Sequence, residues 1–166
     1  MRMLPHPPMS LDPDTFRAVL GRFASGVTVV TTCDDAGRDH GMTVSAFCSL
    51  SLEPPLVLVC VDHAASMHPL LLVGTQVAVN ILAAGQEALS RRFSGKDLPR
   101  FDGIGYHRGL TGAPLLDDVL ASMEGRIVRT HEGGDHTIVV IEVEVASTRA
   151  ERPLLYYRGG YAQLER

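Results

Sequence analysis

The densest group of small, hydroxyl-bearing side chains in the sequence lies between Gly41 and Ser51. Small side chains in an extended segment let a ligand approach the backbone closely. The backbone N–H groups can then bond the acceptors of a flat ring, and the hydroxyls can reach ring oxygens or a phosphate. The same composition is typical of an edge strand whose Ser and Thr side chains are solvated. The residues alone favour neither interpretation.

Motifs for self-contained catalysis are missing from the sequence. No dinucleotide-binding Gly-x-Gly-x-x-Gly, phosphate-loop lysine motif or nucleophile elbow occurs. His131 and His136 flank Gly133 and Gly134, and these glycines would break a helix, so the two histidines cannot share a helical zinc site. The sequence therefore predicts no metal site and no catalytic pair of side chains.

Length and composition describe one ordinary globular domain. The 166 residues are 45% hydrophobic and 20% charged, and the net charge of −4 argues against nucleic acid as the main partner. No apolar run approaches the ~20 residues of a membrane-spanning helix. Residues 1–12 contain prolines but no signal-peptide core, which predicts a disordered or loosely docked tail before a domain over residues 13–166. An odd cysteine count offers no disulfide framework, and the chain is predicted to be cytoplasmic.

The elements that must position the polar segment are mostly strands. The spacing of Phe16, Val19, Leu20 and Phe23 predicts a short amphipathic helix that Asp12 or Asp14 caps. The continuous apolar run Leu56–Val61 predicts a strand buried on both sides. The predicted strands are 27–32, 41–52, 56–61, 76–82, 123–130, 136–147 and 154–157; the predicted helices are 66–73 and 86–93, and the predicted loop is 94–114. This order is not a regular alternation of strand and helix, so it favours a mainly β, mostly antiparallel barrel with a few peripheral helices.

Six short motifs, in order over residues 14–164, resemble the short-chain flavin reductase family of FMN-binding split barrels. These proteins are the reductase components of two-component flavin-dependent monooxygenases. The motifs lie at Phe23–Val30, Gly41–Cys60, Ala78–Leu82, Leu89–Ser94, Gly134–Ile138 and Pro153–Tyr161. The resemblance implies an antiparallel FMN-binding split β-barrel.

The resemblance also implies a set of cofactor-binding residues. Those near the flavin are Thr43, Val44, Ser45, Ala46, Ser49, His63, Ser66, Asn80 and Phe93. Those near the nicotinamide nucleotide are His136, Tyr157, Arg158, Gly160 and Tyr161. A phosphate could also pair with the guanidinium of Arg91, Arg92 or Arg158.

The implied activity is hydride transfer from NADH, or alternatively NADPH, to FMN or FAD. Both reacting groups belong to cofactors, so the protein would orient two rings and supply no catalytic side chain. A homodimer that passes reduced flavin to a partner monooxygenase is implied as well. One alternative is a flavin-binding split-barrel protein that is non-catalytic or reduced by a partner. Another, an oxidase of a phosphorylated vitamin, is disfavoured because the sequence shows no cluster of basic residues for a substrate phosphate.

Overall fold

The computed structural model describes residues 11–96 and 99–164. In this part of the chain the helices are α1 (Pro13–Leu20) and α2 (Glu87–Ser94), with a 3₁₀ turn at His68–Leu70. The strands are β1 (Ser25–Gly26), β2 (Thr28–Cys33), β3 (Asp39–Val44), β4 (Phe47–Leu52), β5 (Pro55–Asp62), β6 (Gln76–Ile81), β7 (Tyr106–Arg108), β8 (Pro114–Leu116), β9 (Ala121–Gly133), β10 (His136–Thr148), β11 (Leu154–Tyr157) and β12 (Gly160–Gln163).

The main sheet has seven antiparallel strands in the order β3-β2-β6-β9-β10-β5-β4. Its two edge strands, β3 and β4, are consecutive in the chain, and only Ser45 and Ala46 join them. Three Cα steps of about 3.8 Å separate Val44 from Phe47, so these ends lie at most about 11 Å apart. The sheet must therefore curl until its edges nearly meet. The mainly β, antiparallel prediction is confirmed, and the barrel is split between β3 and β4.

Two apolar clusters lie on the two faces of this curled sheet. Val30, Val59 and Val79 are among the fully buried side chains that fill the barrel. Val29 and Phe93 belong to a second cluster outside it, where α2 and the C-terminal strands pack. Because Val29 and Val30 point to opposite faces and both are buried, β2 is covered on both sides.

Two small sheets complete the described fold. Strand β7 lies within the segment predicted as a loop and pairs with β8, which begins at the last residue of that segment. Strand β11 pairs with both β1 and β12. The β11–β12 turn has φ +53° at Arg158 and +79° at Gly159. Positive φ at both central residues belongs to a tight type I′ hairpin, whose twist suits two antiparallel strands. The sequence predicted β11 but not its partner β12.

Three further predicted elements differ from the structure. The extended stretch 41–52 is two strands, because the chain turns at Ser45–Ala46 to cross from one sheet edge to the other. The predicted helix 66–73 is a single 3₁₀ turn, His68–Leu70. The prediction that Leu56–Val61 is buried on both sides is wrong, because alternate residues of β5 enter the core while Leu58 and Cys60 stay partly exposed.

Helix α1 is confirmed together with its cap. The Asp12 carboxylate accepts the Thr15 N–H at 2.9 Å. The helix ends at Leu20, before Phe23, and its apolar face has no cover in the described chain, since Phe16 is 49% and Val19 62% exposed. Residues 1–10 of the predicted tail lie outside the described residues. Neither helix over 11–96 and 99–164 is long and apolar enough to cross a membrane.

A buried amide fastens the β7–β8 pair to the barrel. The Asn80 side chain is fully buried, donates to Val29 O at 3.1 Å and accepts the Leu116 N–H at 2.9 Å. Beside it, the buried Thr31 hydroxyl donates to Pro114 O. The Leu116 N–H and Pro114 O thereby find partners on the barrel, so these bonds stabilise the junction between the two sheets.

We expect Asn80→Leu to lower the free energy of unfolding by about 2–4 kcal/mol, because it leaves the buried Leu116 N–H without an acceptor. Urea unfolding measures this loss. The control Gln163→Leu removes an exposed amide and should change the free energy by less than about 0.5 kcal/mol. Equal effects of the two substitutions would contradict the structural role of Asn80.

Candidate functional site

Two adjoining cavities of about 210 and 450 Å³ form a groove outside the barrel. The groove lies between β3, α2, the turn after β5 and the β11–β12 hairpin, and both cavities touch Thr43 and Ser94. Its lining residues are Val27, Met42, Thr43, Ser45, Ala64, Ala65, Ser66, Met67, Ser90, Phe93, Ser94, Gly95, Lys96, Arg100, Tyr156 and Tyr161.

One edge of the groove is the split in the barrel. Here the carbonyls are occupied: Val44 O accepts the Thr28 hydroxyl at 2.6 Å, and Ala46 O accepts the Cys60 N–H at 3.0 Å. The amide N–H groups of Ser45 and Ala46 donate to no other described residue. The split therefore leaves two backbone donors free, one at Ser45, which lines the groove, and one at its neighbour Ala46.

A close approach of helix α2 to β3 forms the wall beside this edge. The Thr43 hydroxyl donates to Ser90 O at 2.7 Å. A Cβ at Gly41 would lie 2.7 Å from the Phe93 ring, so the absence of a side chain there allows the helix to sit this close. Phe93 is 1% exposed and packs in the second apolar cluster while its ring forms part of the wall.

Two tyrosines of the C-terminal hairpin form the opposite wall. The Tyr161 hydroxyl and Ser90 Oγ lie 2.7 Å apart. Tyr156 and Tyr161 are directly opposed across the hairpin and therefore share a face. Tyr157 is on the other face and is 40% exposed, so the structure places Tyr156 in the groove rather than Tyr157.

Arg91 braces this wall from outside. Its guanidinium lies 4.8 Å from the centre of the Tyr161 ring and 2.7 Å from the Glu87 carboxylate. The hydrogen bond to Glu87, and then the charge of that carboxylate, raise the pKa of Arg91. The pair holds a cation over an aromatic face, which favours one position of the ring.

The far end of the groove carries positive charge. Ser66 lies on the turn after β5, and Lys96 and Arg100 lie on the segment after α2. The Arg100 guanidinium donates to Gly41 O and to Gly95 O, each at 2.6 Å. Arg100 thus ties the end of α2 to β3.

The two histidines predicted to bind cofactors lie outside the groove lining. His136 pairs with Asp62 at the start of β10. Its Nδ1 lies 2.7 Å from the Asp135 carboxylate, and this hydrogen bond, with the charge of the ring, lowers the pKa of Asp135. The His63 ring turns toward β10, with Nε2 at 3.1 Å from the Thr137 hydroxyl and 3.6 Å from Glu132.

Other residues predicted to bind cofactors also lie outside the groove lining. Asn80 and the Val44 side chain are buried, so neither side chain is available to a ligand there. Ser49 is exposed on β4, and Gly160 is exposed in the hairpin. Arg158 lies at the hairpin turn, where its N–H donates to Gly21 O at 2.9 Å.

A second depression of about 450 Å³ lies at the other end of the β9–β10 hairpin. Its charged groups already satisfy one another: Arg149 pairs with Asp118 at 2.6 Å, and His107 lies 3.0 Å from Asp117. The groove differs because its backbone donors and its cations have no such acidic partners among the described residues. We therefore take the groove as the candidate site.

The comparisons with known proteins agree with this choice. A family model described as "Flavin reductase like domain" matches residues 20–165. The chain belongs to the flavin reductase-like domain family. The match spans both the barrel and the C-terminal hairpin that completes the groove.

Curated members of the family share much of the sequence. The chain is 39% identical over 157 residues to the flavin-dependent monooxygenase reductase subunit HsaB of Rhodococcus jostii, covering 94% of this chain and 80% of the relative. It is 41% identical over 165 residues to an NADH-dependent flavin reductase of a Rhodococcus species, covering 93% and 90%.

Solved structures of the family superpose closely. The Streptomyces globisporus NADH:FAD oxidoreductase SgcE6, solved in complex with NAD and FAD fragments, has a TM-score of 0.88 at 39% identity, with 93% of each chain covered. BorF, the flavin reductase component of a bacterial two-component tryptophan halogenase, has a TM-score of 0.85 at 39% identity, with 92% of this chain and 98% of that chain covered.

Of the residues that the family resemblance implied, Thr43, Ser45, Ser66, Phe93 and Tyr161 line the groove. Sequence reasoning missed the other lining residues, among them Ser90, Lys96, Arg100 and Tyr156. Because side chains alternate along a strand, only one of Tyr156 and Tyr157 can face the groove, and the hairpin register decides which. Lys96 and Arg100 lie in a stretch with no periodicity, so no pattern indicated their position.

We expect Tyr161→Phe to lower the free energy of unfolding by about 1–2 kcal/mol, because the buried Ser90 hydroxyl loses its partner. The matched substitution Tyr157→Phe removes an exposed hydroxyl and should change it by less than about 0.5 kcal/mol. Urea unfolding of both variants tests the difference. A larger loss for Tyr157→Phe would contradict the assignment of Tyr161 to the groove wall.

Proposed function

We propose that this protein is an NADH-dependent flavin reductase that reduces FMN or FAD and supplies the reduced flavin to a partner monooxygenase. The observation that carries the proposal is the split between β3 and β4, where the N–H groups of Ser45, which lines the groove beside Thr43, and of its neighbour Ala46 have no acceptor in the described chain. Family membership supports the activity, and the names of HsaB and BorF support the partnership.

The groove fits a flavin by its chemistry. Ring carbonyls need donors, and Ser45 and Ala46 provide backbone N–H groups. The apolar part of the ring needs a dry wall, which Met42 and Phe93 provide. When bound, the flavin supplies the redox chemistry: it accepts a hydride from NADH and a proton from solvent, which leaves NAD⁺ and reduced flavin.

The chain contributes position and electrostatics. Backbone donors at Ser45 and Ala46 stabilise negative charge that develops on the ring edge during reduction, since fixed dipoles need no reorganisation. Thr43 and Tyr161, both bonded to Ser90, keep the two walls at a fixed separation. This arrangement orients two rings for hydride transfer and requires no nucleophilic side chain.

Nicotinamide binding by His136 is part of the proposal. His136 is partly exposed and pairs with Asp62, the last residue of β5. The turn that follows Asp62 leads into the groove. Tyr157, Arg158 and Gly160 are exposed at the C-terminal hairpin, at the other end of the groove. A nucleotide that contacts both sets would have to cross the groove and lie over the flavin.

NADH oxidation by the purified protein, with and without added FMN or FAD, tests this function. We expect turnover that depends on flavin and saturates with it, with each protein molecule reducing many flavins. The preferred flavin is the one with the higher kcat/KM, and NADPH serves as the comparison reductant. A yellow protein that keeps its flavin and oxidises neither nucleotide would instead support a flavin-binding protein that is non-catalytic or reduced by a partner.

A homodimer is the second part of the proposal. On the outer face of β5, Leu58 lies opposite Cys48 and Cys60 lies opposite Ile138, so these side chains form one partly exposed apolar surface. Apolar surfaces of this kind mark interfaces, and identical chains associate most often as two-fold dimers. Because β5 runs directly into the turn that lines the groove, a partner here would sit beside the site.

Light scattering on purified protein tests the dimer, with an expected mass of twice the 17.9 kDa of one chain. Leu58→Glu should yield monomers, because a carboxylate would be buried at the interface. Leu110→Glu, at a side chain that is 86% exposed elsewhere, should remain dimeric. Monomeric wild type would contradict the dimer, and a folded, dimeric Leu58→Glu variant would contradict this face.

The remaining parts of the proposal concern organisation and location. We place the activity in a single domain over residues 13–166, which the family match over 20–165 supports. We place it in the cytoplasm, where NADH and the partner enzyme would be available. Free thiols at Cys33, Cys48 and Cys60 suit a reducing compartment.

A further inference from the structure

The hydroxyl of Thr137 lies between two imidazole rings near the start of β10. Its Oγ1 is 3.1 Å from His63 Nε2 and 2.9 Å from His68 Nε2, and the centres of the two rings are 5.0 Å apart. Thr137 is 8% exposed and lies opposite Val61, which is fully buried, so its side chain points into the barrel. The hydroxyl is therefore shielded from water, and the two rings are its hydrogen-bond partners in the described chain.

The two histidines mark the ends of a short segment of the groove wall. His63 directly follows β5, and His68 begins the 3₁₀ turn. The residues between them, 64–67, all line the larger cavity of the groove. The His63 N–H also donates to Asp135 O at 3.0 Å, so the first end is held by backbone as well as by its ring. Thr137 thus attaches both ends of this segment to one point on β10.

A single hydroxyl proton limits how the two rings can bond to Thr137. A hydroxyl donates once, and a neutral imidazole has one N–H and one bare nitrogen. Thr137 can therefore donate to one ring while it accepts the Nε2–H of the other, and both hydrogen bonds are made when the rings carry opposite tautomers. The Glu132 carboxylate lies 3.6 Å from His63 Nε2, which favours a proton on that nitrogen. His63 is then the donor, and His68 accepts from Thr137.

This arrangement tolerates one added proton but not two. A proton on Nδ1 of His63 leaves both hydrogen bonds intact, and Glu132 offers a counter-charge. A second proton, on Nε2 of His68, removes the acceptor of the Thr137 hydroxyl and places two cations 5.0 Å apart. The other charged or titratable side chains on the elements around these rings are Asp62, His131, Asp135 and His136 on the same side of the groove, and Lys96 and Arg100 across it.

We propose that Thr137 is a positioning residue of the flavin site and that its hold on the groove wall depends on pH. The histidine clasp, His63–Thr137–His68, fixes the segment 64–67 while at most one ring is protonated, and it opens when both are. Thr137 is not among the residues that line the groove, so it acts only through the two rings. The inference rests on the proposed function, because it assigns a pH-sensitive support to one wall of the proposed flavin site.

Nitrogen-15 NMR of the histidine rings tests the clasp on the full chain without flavin. At about pH 8, where imidazoles are neutral, we expect the proton on Nε2 of His63 and on Nδ1 of His68. The variants His63→Gln and His68→Gln identify the two sets of signals, because each removes one set. The same tautomer on both rings would overturn the clasp, since one hydroxyl could not then bond both in the manner described.

Equilibrium binding of FMN at two pH values, followed by flavin fluorescence, tests the effect on the site. Thr137→Val keeps the branched shape of the side chain but has no clasp at any pH. At about pH 8 it should bind FMN about three- to tenfold more weakly than wild type, the effect of losing roughly one hydrogen bond. At about pH 5.5 the two affinities should agree within about twofold, because the wild-type clasp has opened. The FMN phosphate titrates in the same range, but equally in both proteins, so the ratio of affinities removes its contribution.

Two further variants separate positioning from packing. Thr137→Ser restores the hydroxyl and should recover the wild-type affinity at about pH 8 within about twofold. Thr148→Val removes an exposed hydroxyl at the other end of β10, 3.5 Å from Leu120 O, and should match wild type at both pH values. If Thr137 only packed the barrel, Thr137→Val would lose the same factor at both pH values, which would overturn its positioning role.

Failure of the clasp and failure of the proposed function give different results. A wild-type protein that binds no FMN at about pH 8 would contradict the flavin site itself, and the ring tautomers would still report whether the clasp exists. A wild-type protein that binds FMN, with a Thr137→Val variant of equal affinity at that pH, would contradict the clasp and leave the proposed function intact.

Discussion

The two-residue link between β3 and β4 is the constraint on which the rest of the structure depends. It joins the two outer strands of a seven-stranded sheet, so the sheet has to curl into a nearly closed barrel. A fully closed barrel would pair every backbone group of its strands. Because Ser45 and Ala46 turn the chain here, their N–H groups have no ladder partner. The same short link therefore creates the fold and leaves the polar edge that the proposed flavin site uses.

Around this edge, the walls of the groove are attached to β3 by few contacts, each of a different kind. A hydroxyl at Thr43 and a missing side chain at Gly41 bring α2 close, and the Arg100 guanidinium fixes the end of that helix. The second wall is then bonded to the helix through Tyr161. The position of the hairpin wall therefore depends on α2, and the position of α2 depends on β3. Protein rigidity, rather than a reactive side chain, is what this site contributes to hydride transfer.

Much of the fold could be predicted from the sequence, because β-branched runs and the Asp12 cap act locally. Which residues enter the site could be predicted only where a motif carried the information, as for Thr43. The rest depends on long-range geometry. Tyr156 enters the groove instead of Tyr157 because of the hairpin register, and His63 turns away because Thr137 on another strand bonds its ring. Arg100 acts from an aperiodic segment, where neither spacing nor propensity indicates a direction.

The pairing of β11 with β1 has a consequence for biosynthesis. Strand β1 precedes the barrel in the chain, while β11 and β12 follow it, and the wall that carries Tyr156 and Tyr161 belongs to this late hairpin. A ribosome delivers the barrel strands first, so β1 must wait for its partner until all of them have been made. Contacts this distant in sequence form slowly. A nascent or truncated chain would thus hold a barrel with an open groove, and the capacity to retain flavin would arise only in the last step of folding.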